Sequence, residues 1–96
     1  METCRLMDFQ TYSSLALRTA NKNNDWIDTL VNASMGVSGE SGEILDHIKK
    51  AKFHGHALDV EKLALEIGDA LFYINWLADT LGYGLEEIAS MNIEKL

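Results

Sequence analysis

Two tetrads constrain this chain more than anything else in it, Glu40-Ser-Gly-Glu43 and Glu66-Ile-Gly-Asp69. Each sets two acids three residues apart inside a stretch whose apolar residues recur at helical spacing. With 3.6 residues per turn, such a pair lies about 60° apart around the axis, so both carboxylates address one direction. A fold that joins the two helices therefore joins four negative charges. Alone they repel one another, but a divalent cation among them turns them into ligands. Carboxylate oxygens are the donors that hard ions such as Mg²⁺ and Mn²⁺ prefer. The tetrads thus predict a helical scaffold with a metal site formed by Glu40, Glu43, Glu66 and Asp69.

The rest of the chain agrees with an all-α fold. It contains no proline, and no apolar–polar alternation runs long enough to suggest a strand. A first helix is expected from about Phe9 to about Ala20, with Asp8 as N-cap, ending in the polar cluster Asn21-Lys22-Asn23-Asn24. A second should run from Trp26 to Lys52 or Phe53, with Ala33, Val37, Ile44, Ile48 and Ala51 on one side. Its neighbouring stripe carries Asn32, Gly36, Gly39, Glu43 and Lys50, with Glu40 alongside. After a short loop at Phe53-His54-Gly55-His56, Asp59 should cap a third helix reaching Leu81, with Lys62 where a capping-box glutamate could stand. Leu63, Ile67, Ala70, Leu71, Ile74, Leu77 and Leu81 make that helix apolar over most of its surface, which predicts a buried central element. A turn at Gly82-Tyr83-Gly84 leads into a fourth helix from Leu85 to about Lys95.

With 96 residues, the chain is long enough for one domain, expected over residues 1–96, and small enough that self-association would help its core. A formal charge of −7 argues against a nucleic-acid polymer or an anionic membrane as partner. A phosphorylated substrate would need metal ions and a few local cations. The single cysteine, Cys4, has no internal partner for a disulfide, no signal-peptide pattern opens the chain, and no apolar run approaches a membrane span. A cytoplasmic location is the expectation.

Acids at this spacing are common on solvated helix faces. Here, however, Glu66 and Asp69 interrupt the most apolar helix, where unpaired carboxylates are costly. The second acid of each pair also follows a glycine, Gly42 or Gly68, although glycine costs roughly 1 kcal/mol against alanine within a helix. Gly36 and Gly39 leave room beside the acids or allow close helix packing. Lys50 shares the acidic face and is placed to hold a phosphate oxygen, although a lysine in the run Lys49-Lys50-Ala51-Lys52 is as readily a solvated one. Asn32 could read a base or sugar edge, although a surface asparagine is the commoner role. Tyr73 and Trp76 flank the acids and could stack on a base, although aromatics at this spacing are more often core. His47 follows Glu43 by one turn without forming the Glu-x-x-His motif of a di-iron bundle, which favours a redox-inert ion. His54 and His56 read as loop residues.

Taken together, these residues resemble the MazG-like all-α nucleoside triphosphate pyrophosphohydrolases. The likeness runs through Gly36-Val-Ser-Gly-Glu-Ser-Gly-Glu43, Leu65-Glu-Ile-Gly-Asp-Ala-Leu-Phe-Tyr73, Leu81-Gly-Tyr-Gly-Leu-Glu-Glu-Ile88 and Asn92-Ile-Glu-Lys95, about two-thirds of the chain. The resemblance implies hydrolysis of (deoxy)nucleoside triphosphates between the α and β phosphates, giving a monophosphate and pyrophosphate, with a role in nucleotide-pool house-cleaning. It implies that Glu40, Glu43, Glu66 and Asp69 hold Mg²⁺, or Mn²⁺ in its place, and that one of the glutamates acts as base. Tyr73, Asn92 and Lys95 match positions that line the family's substrate pocket. It also implies a homodimer whose helices complete a four-helix bundle, or a homotetramer. Two departures stand out. Many relatives carry a basic residue soon after Asn-x-x-Lys, where this sequence reaches Leu96. Gly84 replaces their serine or aspartate cap, so the fourth helix should start less firmly.

Two other readings are compatible with the same residues. One is a relative acting on phosphoribosyl-ATP or on dUTP or dUDP. The other is a non-catalytic helical assembly module that keeps the metal for structure.

Overall fold

The computed structural model describes residues 6–20 and 25–96. Cys4 and the expected Asn21-Lys22-Asn23-Asn24 loop lie outside them. Four α-helices are present, α1 (Phe9–Ala16), α2 (Trp26–Phe53), α3 (Val60–Thr80) and α4 (Leu85–Lys95), and no strand occurs among the described residues. The first helix ends earlier than its pattern suggests, because the chain tightens into a 3₁₀ turn over Leu17–Thr19. There the Thr19 hydroxyl donates to the Ala16 carbonyl at 2.9 Å.

Each helix start has a local chemical cause. Asp8, Asp25 and Asp59 are N-caps whose carboxylates accept from the backbone N–H three residues on, at 2.7, 2.8 and 3.0 Å. Each satisfies one of the donors a helix leaves orphaned. Gly84 has no side chain to do this, yet α4 begins at Leu85, because Glu87 reaches back to accept from the Gly84 N–H at 2.8 Å. That is half of a capping box, supplied from within the helix. At the end of α3, Gly82 adopts φ +89°. The N–H groups of Gly82 and Tyr83 donate to the carbonyls of Asp79 and Ala78, both at 2.9 Å. This is the Schellman arrangement that a residue with a Cβ would strain.

Helices α2 and α3 form an antiparallel hairpin, tied at three levels. Near the open end, the Trp26 indole N–H donates to the Thr80 carbonyl at 2.9 Å. Midway, the Tyr73 ring lies directly on Gly36, where a Cβ would collide with it. Near the loop, His47 meets Glu66 at 3.0 Å. Close packing is therefore the use made of Gly36, whereas Gly39, Gly42 and Gly68 face open space. Helix α1 packs against α3 and α4, closing the far end of the hairpin.

The expectation that α3 is a buried central helix needs correction. Its buried residues are Ala70, Asn75, Trp76 and Ala78, while Leu65 and Ile67 are 67% and 55% exposed. Leu45 on α2 is likewise 66% exposed. The reason is geometric. Among the described residues only α2 runs along the whole of α3, so much of its apolar circumference has no neighbour there. The Cα radius of gyration, 15.3 Å, exceeds the roughly 12.5 Å of a compact chain of this length.

The contact at Gly36 predicts that Gly36→Ala costs about 1–3 kcal/mol of unfolding free energy, since the Tyr73 ring must move off α2. Gly42→Ala should instead be neutral or gain up to about 1 kcal/mol through helix propensity. Urea unfolding of both variants measures the contrast.

Candidate functional site

The hairpin register that seats Tyr73 on Gly36 and His47 on Glu66 puts the two acid pairs on facing stretches of α2 and α3. The electrostatics of Glu40 reflect this gathering. Its pKa is raised above the ordinary value of 4.5, first by desolvation, then by the adjacent Glu43 carboxyl, and then by the charges of Asp69 and Glu66. One of its oxygens, Oε2, is shielded from solvent and has no hydrogen-bond donor among the described residues. A buried carboxylate oxygen without a donor is costly unless a cation takes that role.

Glu43 and Glu66 open into a cleft at the loop end of the hairpin, about 390 Å³ in volume. Asp46, His47, Lys50, His56, Asp59 and Lys62 complete its polar lining. The carboxylates of Asp46 and Asp59 already have partners. Asp46 accepts from the Lys50 ammonium at 3.0 Å, which also holds its pKa below the usual range. Asp59 caps α3. The turn after α2 brings in His56 through a hydrogen bond from its N–H to the Lys50 carbonyl at 3.3 Å.

His47 occupies a more specific place than its sequence position suggests. With side-chain exposures of 10% and 16%, His47 and Glu66 meet through Nδ1 and Oε1 at 3.0 Å. On the other side of the ring, Nε2 accepts from the backbone N–H of Asp59 at 3.3 Å. Tyr12 on α1 was also not singled out by sequence. Its pKa is raised by burial and then by the charge of Asp69, which places α1 at the far end of the acidic row. Neither role has a local motif, because both depend on residues distant in sequence.

The other expected substrate residues are more dispersed. Lys50 lines the cleft. Tyr73 is half-buried against Gly36, with its ring 5.2 Å from Phe72 and 6.3 Å from Trp76. Trp76 is only 7% exposed, so its indole fills the core of this chain rather than presenting a face to the cleft. Asn32, Asn92 and Lys95 are exposed and do not line the cleft.

The donor set fits a hard divalent cation, being all carboxylate oxygen, mutually repelling and including one shielded oxygen without a donor. Among the described residues, no three side chains of His, Cys, Asp or Glu close into a ready-made ligand cluster. The backbone brings the acids to one face without drawing their oxygens around one point.

The all-α hairpin carries Glu-x-x-Glu on α2 and Glu-x-x-Asp on α3. A family model described as MazG nucleotide pyrophosphohydrolase domain matches residues 29–96. The chain belongs to this family. It is also similar to the Gene 37 protein of Mycobacterium phage L5, 32% identical over 76 residues, covering 75% of this chain and 67% of that one. No solved structure matches. No helix among the described residues is long and apolar enough to cross a membrane.

The Glu40 environment fixes the sign of a pH effect. A carboxyl whose pKa is raised on folding leaves stability intact below its unfolded value and removes it as pH rises through the folded value. Without divalent metal, Glu40→Gln should therefore be more stable than the wild type at pH 7, with the advantage vanishing towards pH 4. Thermal melts in EDTA across that range report the outcome.

Proposed function

We propose that the chain hydrolyses (deoxy)nucleoside triphosphates between the α and β phosphates, releasing a monophosphate and pyrophosphate, with Mg²⁺ as cofactor and Mn²⁺ as substitute. The observation that carries this reading is the facing of Glu40 and Glu43 with Glu66 and Asp69 across one helix pair, within the segment that matches the family. In the proposal these four acids hold the metal. Bound Mg²⁺ supplies charge neutralisation for the polyphosphate and activation of water for in-line attack on phosphorus. The chain's own part is to position. Lys50 adds positive charge at the cleft, Tyr73 offers an aromatic edge beside the acids, and one of the glutamates takes the proton from water. Housekeeping of the nucleotide pool in the cytoplasm is the corresponding role.

The uncovered apolar residues support self-association as a homodimer or homotetramer. Leu45, Leu65 and Ile67 are on the two longest helices, and a second copy of the same hairpin offers a matching surface. Leu65→Glu should shift the protein towards a monomer by analytical ultracentrifugation, while the wild type sediments as a dimer or larger.

Glu43→Gln or Asp69→Asn should remove nearly all hydrolysis while leaving the helical circular dichroism unchanged. The readout is pyrophosphate release from a panel of normal and modified triphosphates, with Mg²⁺ and with EDTA. Metal binding without turnover across the panel contradicts an enzymatic role, and wild-type rates in either variant contradict the site.

A further inference from the structure

The two hydrogen bonds of the His47 ring define its tautomer. A backbone N–H can only donate, so the Asp59 N–H obliges Nε2 to accept. In a neutral imidazole the proton then resides on Nδ1, facing Glu66 Oε1 at 3.0 Å. The ring is thus a one-way link, receiving a donor from the start of α3 and donating to a carboxylate two turns further along that helix. It is held from α2, and its side chain is almost enclosed.

We propose that His47 is a positioning residue for Glu66, fixing Oε1 by its Nδ1–H so that Oε2 is the oxygen presented to a divalent cation. The inference rests on the reading of Glu66 as a metal ligand. A glutamate has three side-chain torsions, and an exposed one samples many rotamers before it binds. A donor on one oxygen removes most of those states in advance and leaves the other oxygen's lone pairs available. Such outer partners commonly control metal affinity by 10–100-fold. The competing explanation is that His47 only closes the α2–α3 loop through Asp59, with Glu66 an incidental neighbour.

Two substitutions separate these explanations because each keeps one half of the ring. His47→Asn places an amide N–H where Nδ1 stood and loses the reach to Asp59. His47→Gln reaches Asp59 with its carbonyl oxygen and loses the donor to Glu66. The experiment measures Mn²⁺ binding by electron paramagnetic resonance, without nucleotide, in the wild type and both variants. His47→Gln should bind Mn²⁺ about tenfold or more weakly, whereas His47→Asn should stay within about threefold of wild type. Equal weakening in both variants, or wild-type affinity in His47→Gln, overturns the proposal. An independent check that needs no variant is the ¹⁵N spectrum of the metal-free wild-type ring. A proton on Nδ1 supports the link, and a proton on Nε2 overturns it. If the wild type binds no Mn²⁺, the metal reading itself falls and the role of His47 with it. Wild-type binding that is indifferent to His47→Gln leaves the metal reading standing and removes only this inference.

Discussion

The close seating of α3 on α2 is the constraint on which the rest of the molecule depends. Gly36 admits the Tyr73 ring against the backbone of α2, and bonds near the two ends, Trp26 to Thr80 and His47 to Glu66, stop the hairpin from sliding. A helix rotates about 100° for each residue of slip. A shift of one position would therefore turn one acid pair away from the other, and the gathering of charge around Glu40 would be lost. The packing contact and the acidic row are two consequences of one register.

That register brings an electrostatic penalty. Glu40 lies in the field of Glu43, Asp69 and Glu66, and one of its oxygens is shielded without a donor among the described residues. Gly42 and Gly68 add a conformational penalty that packing does not explain, since nothing lies close to where their Cβ atoms would be. Local choices that oppose stability at one place in an otherwise consistent scaffold mark a functional site more strongly than the acids do alone. A cation among the carboxylates would convert their repulsion into attraction, and open space beside them would admit a substrate.

Much of this arrangement is legible in the sequence because it rests on local rules. Asp8 and Asp59 are read correctly as caps, since a cap needs only a short polar side chain before a periodic run. The limits of α2, α3 and α4 follow from the same periodicity and from the turn glycines. The acid pairs are visible because i, i+3 spacing survives any tertiary context. What escapes is set by register and neighbours. Nothing near His47 announces that Glu66, 19 residues away, will accept from its ring, and Tyr12 meets the field of Asp69 only because α1 folds across α3. Trp76 is read as a possible stacking surface and is instead enclosed with Phe72 and Tyr73. The apolar circumference of α3 is read as buried, although the described helices are too few to bury it.

The exposed apolar surface and the acidic row are parts of the same two helices, so covering one affects the other. Ile67 lies between Glu66 and Gly68 in sequence, and Leu65 immediately precedes the acid that His47 holds. Self-association, as proposed, would remove water from the flanks of the acids. Charge interactions strengthen as local dielectric falls, so the carboxylates would repel more strongly without a cation and bind one more tightly with it. Metal loading and assembly would then favour each other, because each relieves a cost that the other imposes. A single chain with a small core and an uncompensated acidic face is, on this view, one part of the functional unit.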